Sequence, residues 1–114
     1  MFEINEKDFY IFKNQIKPSE NAIYKLKKFV FILEDYQKKM NLIGKSTMSS
    51  IWTRHILDSA QIEKILPIEN NNFLTIDVGT GAGFPGVVLA ALGRKDLLLC
   101  DKSKKKKIFL NAVA

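Results

Sequence analysis

Apolar residues recur at steps of three and four over the first part of the chain, which predicts helices. The clearest series predicts one long amphipathic helix that begins after Ser19, a residue suited to an N-cap. Its apolar face comprises Ile23, Leu26, Phe29, Val30, Leu33, Tyr36 and Met40. A shorter helix is predicted within Met1 to Ile16, and another from Ser50 to Leu66. Gly44 to Ser50 is predicted to be a polar connector.

The pattern changes in the second part of the chain. An apolar run from Phe73 to Val78, a glycine-rich stretch and a second apolar run from Val87 to Leu92 predict a strand, a loop and a helix. Leu97 to Asp101 is predicted to be the next strand. The sequence therefore predicts an α/β fold with two regions. Residues 1–70 form an N-terminal helical region, and residues 71–114 form the first half of a Rossmann-like domain that is truncated.

The stretch Asp77-Val-Gly-Thr-Gly-Ala-Gly-Phe-Pro-Gly86 joins the first predicted strand to its helix. Its alternating glycines permit sharp turns and leave no side chain between the backbone and a bound ligand, so we predict a nucleotide-binding loop. Two registers are open. Gly81 to Gly86 matches G-x-G-x-x-G of dinucleotide-binding enzymes, a weak signal alone. Asp77 with the glycines gives D-x-G-x-G-x-G, the pattern of S-adenosylmethionine-dependent methyltransferases.

The second register is favoured because it gives Asp77 a role. A carboxylate at the end of the strand can accept hydrogen bonds around the methionine part of S-adenosylmethionine, directly or through water. The loop residues that would pass under its adenosine are Gly79, Thr80, Gly81 and Gly83. Asp101 ends the next strand about 20 residues beyond the loop, where a carboxylate can bind both ribose hydroxyls. The alternative is that Asp101 only caps the following helix.

Basic residues make nucleic acid a plausible partner. The formal net charge is +6, and the run from Lys102 to Lys107 holds five lysines. This run lies at the carboxyl end of the predicted sheet, where cofactor and substrate meet in this fold class. Lysines there supply affinity for phosphates without sequence choice. The candidates for contact with RNA are Lys104, Lys105, Lys106 and Lys107. The alternative is a solvated surface.

Arg54, His55 and Asp58 are spaced so that all three can meet on one helix face. An ion pair within the helix is the favoured interpretation. No nucleophile stands beside His55, and a single histidine makes a poor metal site, so we assign no catalytic residue and predict no metal. Cys100 is the only cysteine, which excludes an intramolecular disulfide. Its thiol is predicted to be buried and inert.

Nothing in the sequence indicates a membrane protein. No apolar run approaches the roughly 18 residues of a membrane span. Met1 to Gln15 mixes charges throughout, unlike a signal peptide. We therefore expect a cytoplasmic protein that has no membrane partner.

Several motifs together carry a specific resemblance. In chain order they are Asn41-Leu-Ile, Arg54-His55-x-x-Asp58-Ser59, Asp77 to Gly86, and Asp101 followed by Lys105 and Phe109-Leu110. Over nearly its whole length the chain resembles the small-subunit ribosomal RNA methyltransferase G family, also called glucose-inhibited division protein B. Ile43 stands where that family usually has threonine. The larger departure is the family's C-terminal half, with an arginine near the methyl-transfer site, which the sequence lacks.

The resemblance implies a class I methyltransferase that moves a methyl group from S-adenosylmethionine to N7 of a guanine in 16S ribosomal RNA, as naked RNA or in a ribosomal particle. It implies cofactor contacts at Gly79 and Phe84. We expect Arg54, His55 and Asp58 to organise the floor of the site or to contact the substrate, and Arg54 and His55 are the candidates for contact with RNA. Two other classes stay open: an NAD-dependent Rossmann oxidoreductase and a noncatalytic RNA-binding or assembly protein. We expect no turnover by the 114 residues alone, because the crevice of an open sheet lies between two halves.

Overall fold

The structure is a computed structural model that describes residues 5–69 and 74–114. Its elements, in order, are α1 (Glu6–Ile16), α2 (Glu20–Gln37), a 3₁₀ segment (Lys45–Ser50), a π segment (Trp52–Leu57), α3 (Asp58–Gln61), a 3₁₀ turn (Ile62–Lys64), β1 (Thr75–Val78), α4 (Gly86–Ala91), β2 (Leu97–Cys100) and α5 (Lys104–Val113). Within the described ranges, none of the helices combines the length and the apolarity that crossing a bilayer requires.

The long amphipathic helix is confirmed as α2. Ser19 is its N-cap, and the Ser19 hydroxyl accepts a hydrogen bond from the Ala22 backbone N–H at 3.1 Å. The predicted apolar face is buried in its central turns. The helix ends at Gln37 and does not reach Met40, because the Gln37 amide holds the following turn. Its oxygen accepts from the backbone N–H groups of residues 42 and 43, and its nitrogen donates to the carbonyl of Ile43.

The helix predicted within Met1 to Ile16 is confirmed from Glu6 onward, while residues 1–4 lie outside the described residues. α1 packs against the π segment. Phe12 is fully buried, and Phe9 meets the Trp52 ring edge to face, with ring centroids 4.8 Å apart. Aromatic contacts therefore join the first helix to the segment that carries Arg54 and His55.

The helix predicted from Ser50 to Leu66 forms as an irregular series of turns. It comprises a π segment, a single α-helical turn and a 3₁₀ turn, and the predicted connector before it is itself largely a 3₁₀ segment. The start of the π segment is fixed by Asp8 of α1. The buried Asp8 carboxylate accepts from the backbone N–H groups of Trp52 at 2.8 Å and Thr53 at 3.2 Å.

β1 and β2 form a parallel pair in which Thr75 lies opposite Leu97 and Val78 opposite Cys100. α4 connects the two strands, so the predicted strand, helix and strand are confirmed. Phe73, predicted as the start of the first strand, lies outside the described residues. The thiol of Cys100 is half-buried, so the prediction of a buried thiol is wrong.

One apolar core runs through the helices and the βαβ unit, and it includes Trp52, Phe29, Val88 and Phe109. α2 packs against both α4 and α5 within this core. The outer face of the sheet is uncovered by the described residues, with Val78 81% exposed. The described residues thus form a helix-rich α/β unit with a small parallel sheet. The boundary between regions 1–70 and 71–114 stays a prediction.

Candidate functional site

The chain turns directly from β1 into a glycine loop, residues 79–85. Gly79, Gly81 and Gly83 have φ angles of 70°, 58° and 94°, which side chains disfavour. The backbone N–H of Gly79 donates to the Cys100 carbonyl at 2.8 Å, and that of Thr80 donates to the same oxygen at 3.1 Å. The glycine loop therefore lies where both strands end, as predicted.

The glycines are required for different reasons. A Cβ on Gly79 would meet no atom within 4 Å, so the backbone there faces open space. A Cβ on Gly83 would lie 2.6 Å from the Val87 side chain, and one on Gly86 would lie 2.6 Å from the Leu99 side chain. Gly83 and Gly86 therefore permit close packing around α4. Gly79 marks the part of the loop that a ligand can approach.

Asp77 stabilises the glycine loop through one of its two carboxylate oxygens. Its Oδ2 accepts from the Thr80 hydroxyl at 2.6 Å and from the Gly86 backbone N–H at 2.9 Å. Thr80 is 3% exposed, so its hydroxyl serves the loop and does not face solvent. The other oxygen of Asp77, Oδ1, accepts no hydrogen bond from the described residues, which leaves it for a ligand.

Asp101 closes the glycine loop from the end of β2. Its two oxygens accept from the backbone N–H groups of Ser103 and Gly81, each at 2.9 Å. These two bonds lower the pKa of Asp101, with desolvation opposing them and Lys106 and Lys107 assisting. The carboxylate is therefore ionised at neutral pH. The N-cap of α5 is Ser103, so the alternative in which Asp101 is that cap is wrong.

The lysine run divides into two groups at the start of α5. Lys106 is half-buried, and its Nζ lies 3.8 Å from the position of a Cβ on Gly81, so this side chain leans over the glycine loop. Lys104, Lys105 and Lys107 are exposed. The positive charges of Lys106 and Lys107 both help to lower the pKa of Asp101. Lys104 and Lys105 form the exposed pair that extends the basic surface.

The expected ion pair between Arg54 and Asp58 is wrong. Both side chains are exposed, and no salt bridge joins them within residues 5–69 and 74–114. Both charges lie in water, where pairing gains little over the hydration of each group alone. Burial is the largest effect that lowers the pKa of His55 below 6.5, the Arg54 charge adds to it, and Asp58 opposes both. The imidazole is therefore neutral at pH 7.

His55 turns toward the glycine loop and stacks on Phe84, with ring centroids 5.1 Å apart and planes 24° apart. His55 Nε2 lies 2.8 Å from the Thr47 hydroxyl oxygen, and that hydroxyl donates to the Gly44 carbonyl at 2.7 Å. A hydroxyl has a single proton, so His55 must be the donor in the bond to Thr47. This assigns the neutral Nε2–H tautomer.

Phe84 is held on its other side by α2. Phe29 meets it edge to face, with ring centroids 5.5 Å apart and an interplanar angle of 65°. Phe29 is itself buried in the core. The helical region and the glycine loop therefore share one aromatic cluster: Phe29, Phe84 and His55.

Sequence reasoning missed several residues that support the site. The sequence predicts Phe29 only as part of an apolar face and Thr47 only as part of a connector. Arg94, 7% exposed, pairs with Glu63 at 2.9 Å and with Asp96 at 2.7 Å, which ties the end of α4 to the 3₁₀ turn. In the sequence, Asp96 lies two residues after Arg94, and this spacing indicates a local ion pair. No local signal pointed to the other contacts.

Comparison with known proteins identifies the family of the chain. The family model for rRNA small subunit methyltransferase G, GidB, matches residues 22–114. The chain belongs to this family. Membership of the GidB family implies a class I methyltransferase fold, of which the described residues form a helix-rich part with a small two-stranded sheet.

Curated relatives in the GidB family carry the name ribosomal RNA small subunit methyltransferase G. That of Rhodospirillum rubrum is 38% identical over 99 residues, which cover 87% of this chain and 48% of the relative. That of Cereibacter sphaeroides is 40% identical over 101 residues, which cover 84% and 48%. That of Rickettsia prowazekii is 39% identical over 95 residues, which cover 83% and 49%. The chain spans about half the length of these relatives. No solved structure matches the chain.

Proposed function

We propose that this chain supplies the cofactor-binding part of an enzyme that transfers a methyl group from S-adenosylmethionine to guanine N7 in small-subunit (16S) ribosomal RNA. The observation that carries the proposal is the glycine loop, with an open backbone at Gly79, between two carboxylates that end neighbouring parallel strands. Membership of a family of ribosomal RNA methyltransferases supports the same conclusion.

The residues around the glycine loop fit S-adenosylmethionine. A Cβ on Gly79 would occupy otherwise open space, which suits a ligand lying against the backbone. Asp77 has an oxygen left for the methionine part of the cofactor. Asp101 is ionised and suited to the ribose hydroxyls. It also lines a recess of about 360 Å³, whose other lining residues are Leu99, Cys100, Lys107, Leu110 and Asn111.

The chemistry of the proposed reaction matches a site without an assigned catalytic residue. When bound, S-adenosylmethionine supplies a methyl group on a positively charged sulfur. Guanine N7 carries a lone pair and no proton, so its attack needs no general base. Placement of the two reactants is then the main task of the protein. The His55 imidazole agrees with this, since its one N–H is used on Thr47 and its face is covered by Phe84.

Contact with RNA is proposed for exposed basic residues. Lys104 and Lys105 lie beside the carboxyl edge of the sheet, and Arg54 is exposed on the π segment. Lysine and arginine at such positions bind phosphates and give affinity that falls with salt. Ribosomal RNA or a ribosomal particle is the proposed partner, and the cytoplasm is the proposed location because that partner is found there.

Ligand-observed NMR on the 114-residue chain tests the cofactor, because saturation transfer detects even weak binding. We expect transfer to S-adenosylmethionine and not to NAD. Transfer to NAD alone would favour the oxidoreductase. Binding of 16S RNA without saturation transfer to either small molecule would favour a noncatalytic RNA-binding protein.

A fusion of this chain to the C-terminal half of the Rhodospirillum rubrum relative tests the reaction. We expect tritium transfer from S-adenosylmethionine to 16S RNA in particles that lack the modification. Chemical cleavage at N7-methylguanine then locates the product. Tritium at another position of the base would contradict guanine N7 as the acceptor.

A further inference from the structure

The Phe84 ring lies in the glycine loop between two other rings. It follows Gly83, where a Cβ would lie 3.6 Å from the Phe29 ring and 2.6 Å from Val87. Phe29 covers one side of Phe84, and His55 covers another. Phe84 is half-buried between these two rings and adjoins a closely packed Gly83, so a change in either ring is transmitted to the loop backbone.

The orientation of His55 is fixed from outside the glycine loop. The Gly44 carbonyl accepts from the Thr47 hydroxyl, and the Thr47 oxygen accepts from His55 Nε2–H. This chain of two hydrogen bonds favours one orientation of the imidazole. It connects the turn before the 3₁₀ segment to the ring that covers Phe84. The His55 side chain therefore links the π segment to both the 3₁₀ segment and the glycine loop.

We propose that His55 is a positioning residue for the glycine loop. Its imidazole, oriented by Thr47, holds Phe84 against Phe29 and so sets the backbone position at Gly81 and Gly83. The consequence for cofactor affinity rests on the proposed function. The positioning of the loop itself does not, and it can be measured without any cofactor.

The first test determines the tautomer of His55. His55 is the only histidine, so its ring nitrogens give one set of signals in a long-range ¹H–¹⁵N spectrum. We expect the pattern of the Nε2–H tautomer at pH 7.5, and its loss in Thr47→Val, with recovery in Thr47→Ser. A dominant Nδ1–H tautomer or two tautomers in rapid exchange would overturn the proposal.

The second test measures hydrogen exchange of the backbone amides of Gly81 and Gly83, both of which are hydrogen-bonded. Loss of the aromatic stack in His55→Ala should speed their exchange on the order of 3- to 10-fold relative to amides of α2. His55→Phe keeps a ring on Phe84 but loses the bond to Thr47, so its exchange rates should lie between those of His55→Ala and the unaltered chain. Gln61→Ala, an exposed change on α3, is the matched control. Equal acceleration in all helices would overturn the proposal.

A double-mutant cycle with Phe84→Leu tests whether His55 acts through that ring. In the Phe84→Leu variant, the further change His55→Ala should raise the exchange rates at Gly81 and Gly83 only slightly. Fully additive effects would mean that His55 acts by another route. S-adenosylmethionine binding is measured separately in each variant. If the loop responds as expected but the unaltered chain does not bind the cofactor, the positioning role stands and the proposed function fails.

Discussion

Replacing Asp77 by alanine tests whether one carboxylate oxygen holds the glycine loop in place. The change removes the acceptor of the Thr80 hydroxyl, at 2.6 Å, and of the Gly86 N–H, at 2.9 Å. Both donors are buried, so water cannot replace the lost acceptor unless the loop moves. An unpaired buried donor costs roughly 1–3 kcal/mol. Asp77 is itself half-buried, which admits some water, so we expect a total loss of about 2–4 kcal/mol.

Urea unfolding followed by tryptophan fluorescence measures this loss, since Trp52 is the only tryptophan and is fully buried. At a slope of about 2 kcal/mol per M urea, the midpoint should fall by roughly 1–2 M. Asp77→Asn retains an oxygen acceptor and should cost less than about 1.5 kcal/mol. Thr80→Val removes one of the two donors, so its midpoint should lie between those of Asp77→Ala and Asp77→Asn. Equal midpoints for the alanine and asparagine variants would refute the reasoning.

Three further predictions follow from the site. Gly79→Ala should weaken S-adenosylmethionine binding in saturation-transfer NMR, whereas Gly93→Ala, also at positive φ and in open space, should lower stability and leave binding unchanged; equal loss in both would mean that backbone strain is the cause. Replacing Lys104 and Lys105 with serine should flatten the salt dependence of binding to a 16S RNA fragment by roughly 1.4–1.8 in slope, and an unchanged slope would make them solvated surface. The pKa of His55 is lowered from 6.5, so the neutral imidazole contributes to stability above that pH. This contribution is lost as the pH falls toward the folded-state pKa. His55→Phe should remove this pH dependence of the urea midpoint, and its persistence in that variant would contradict a lowered pKa of His55 as the cause.

Local signals in the sequence predicted the strand, the glycine loop and the helix. Positive φ angles at Gly79, Gly81 and Gly83 need glycine, and the apolar runs on either side identify regular elements. The end of α2 could not be predicted this way, because it depends on a side chain, that of Gln37, bonding to a later turn. The π segment also escaped prediction, since Asp8 from another helix fixes its start.

Spacing alone placed Asp77 and Asp101 beside the loop, but their roles depended on contacts between side chains and backbone. The direction of Thr80 follows from its bond to Asp77 and not from the glycine pattern. The charged neighbours of His55 in the sequence predict that it takes part in an ion pair. Its actual partner, Phe84, belongs to a different element, and the packing of those elements decides which residues meet.

The bond between Asp8 and Trp52 joins positions 44 apart, whereas that between Asp101 and Gly81 joins positions 20 apart. Closing the longer stretch of chain costs about 0.7 kcal/mol more in entropy. We therefore expect the βαβ unit to assemble early in folding, and α1 to dock late. The π segment gains its N-terminal partner only when α1 docks, so Asp8→Asn should mainly speed unfolding and leave the folding rate nearly unchanged.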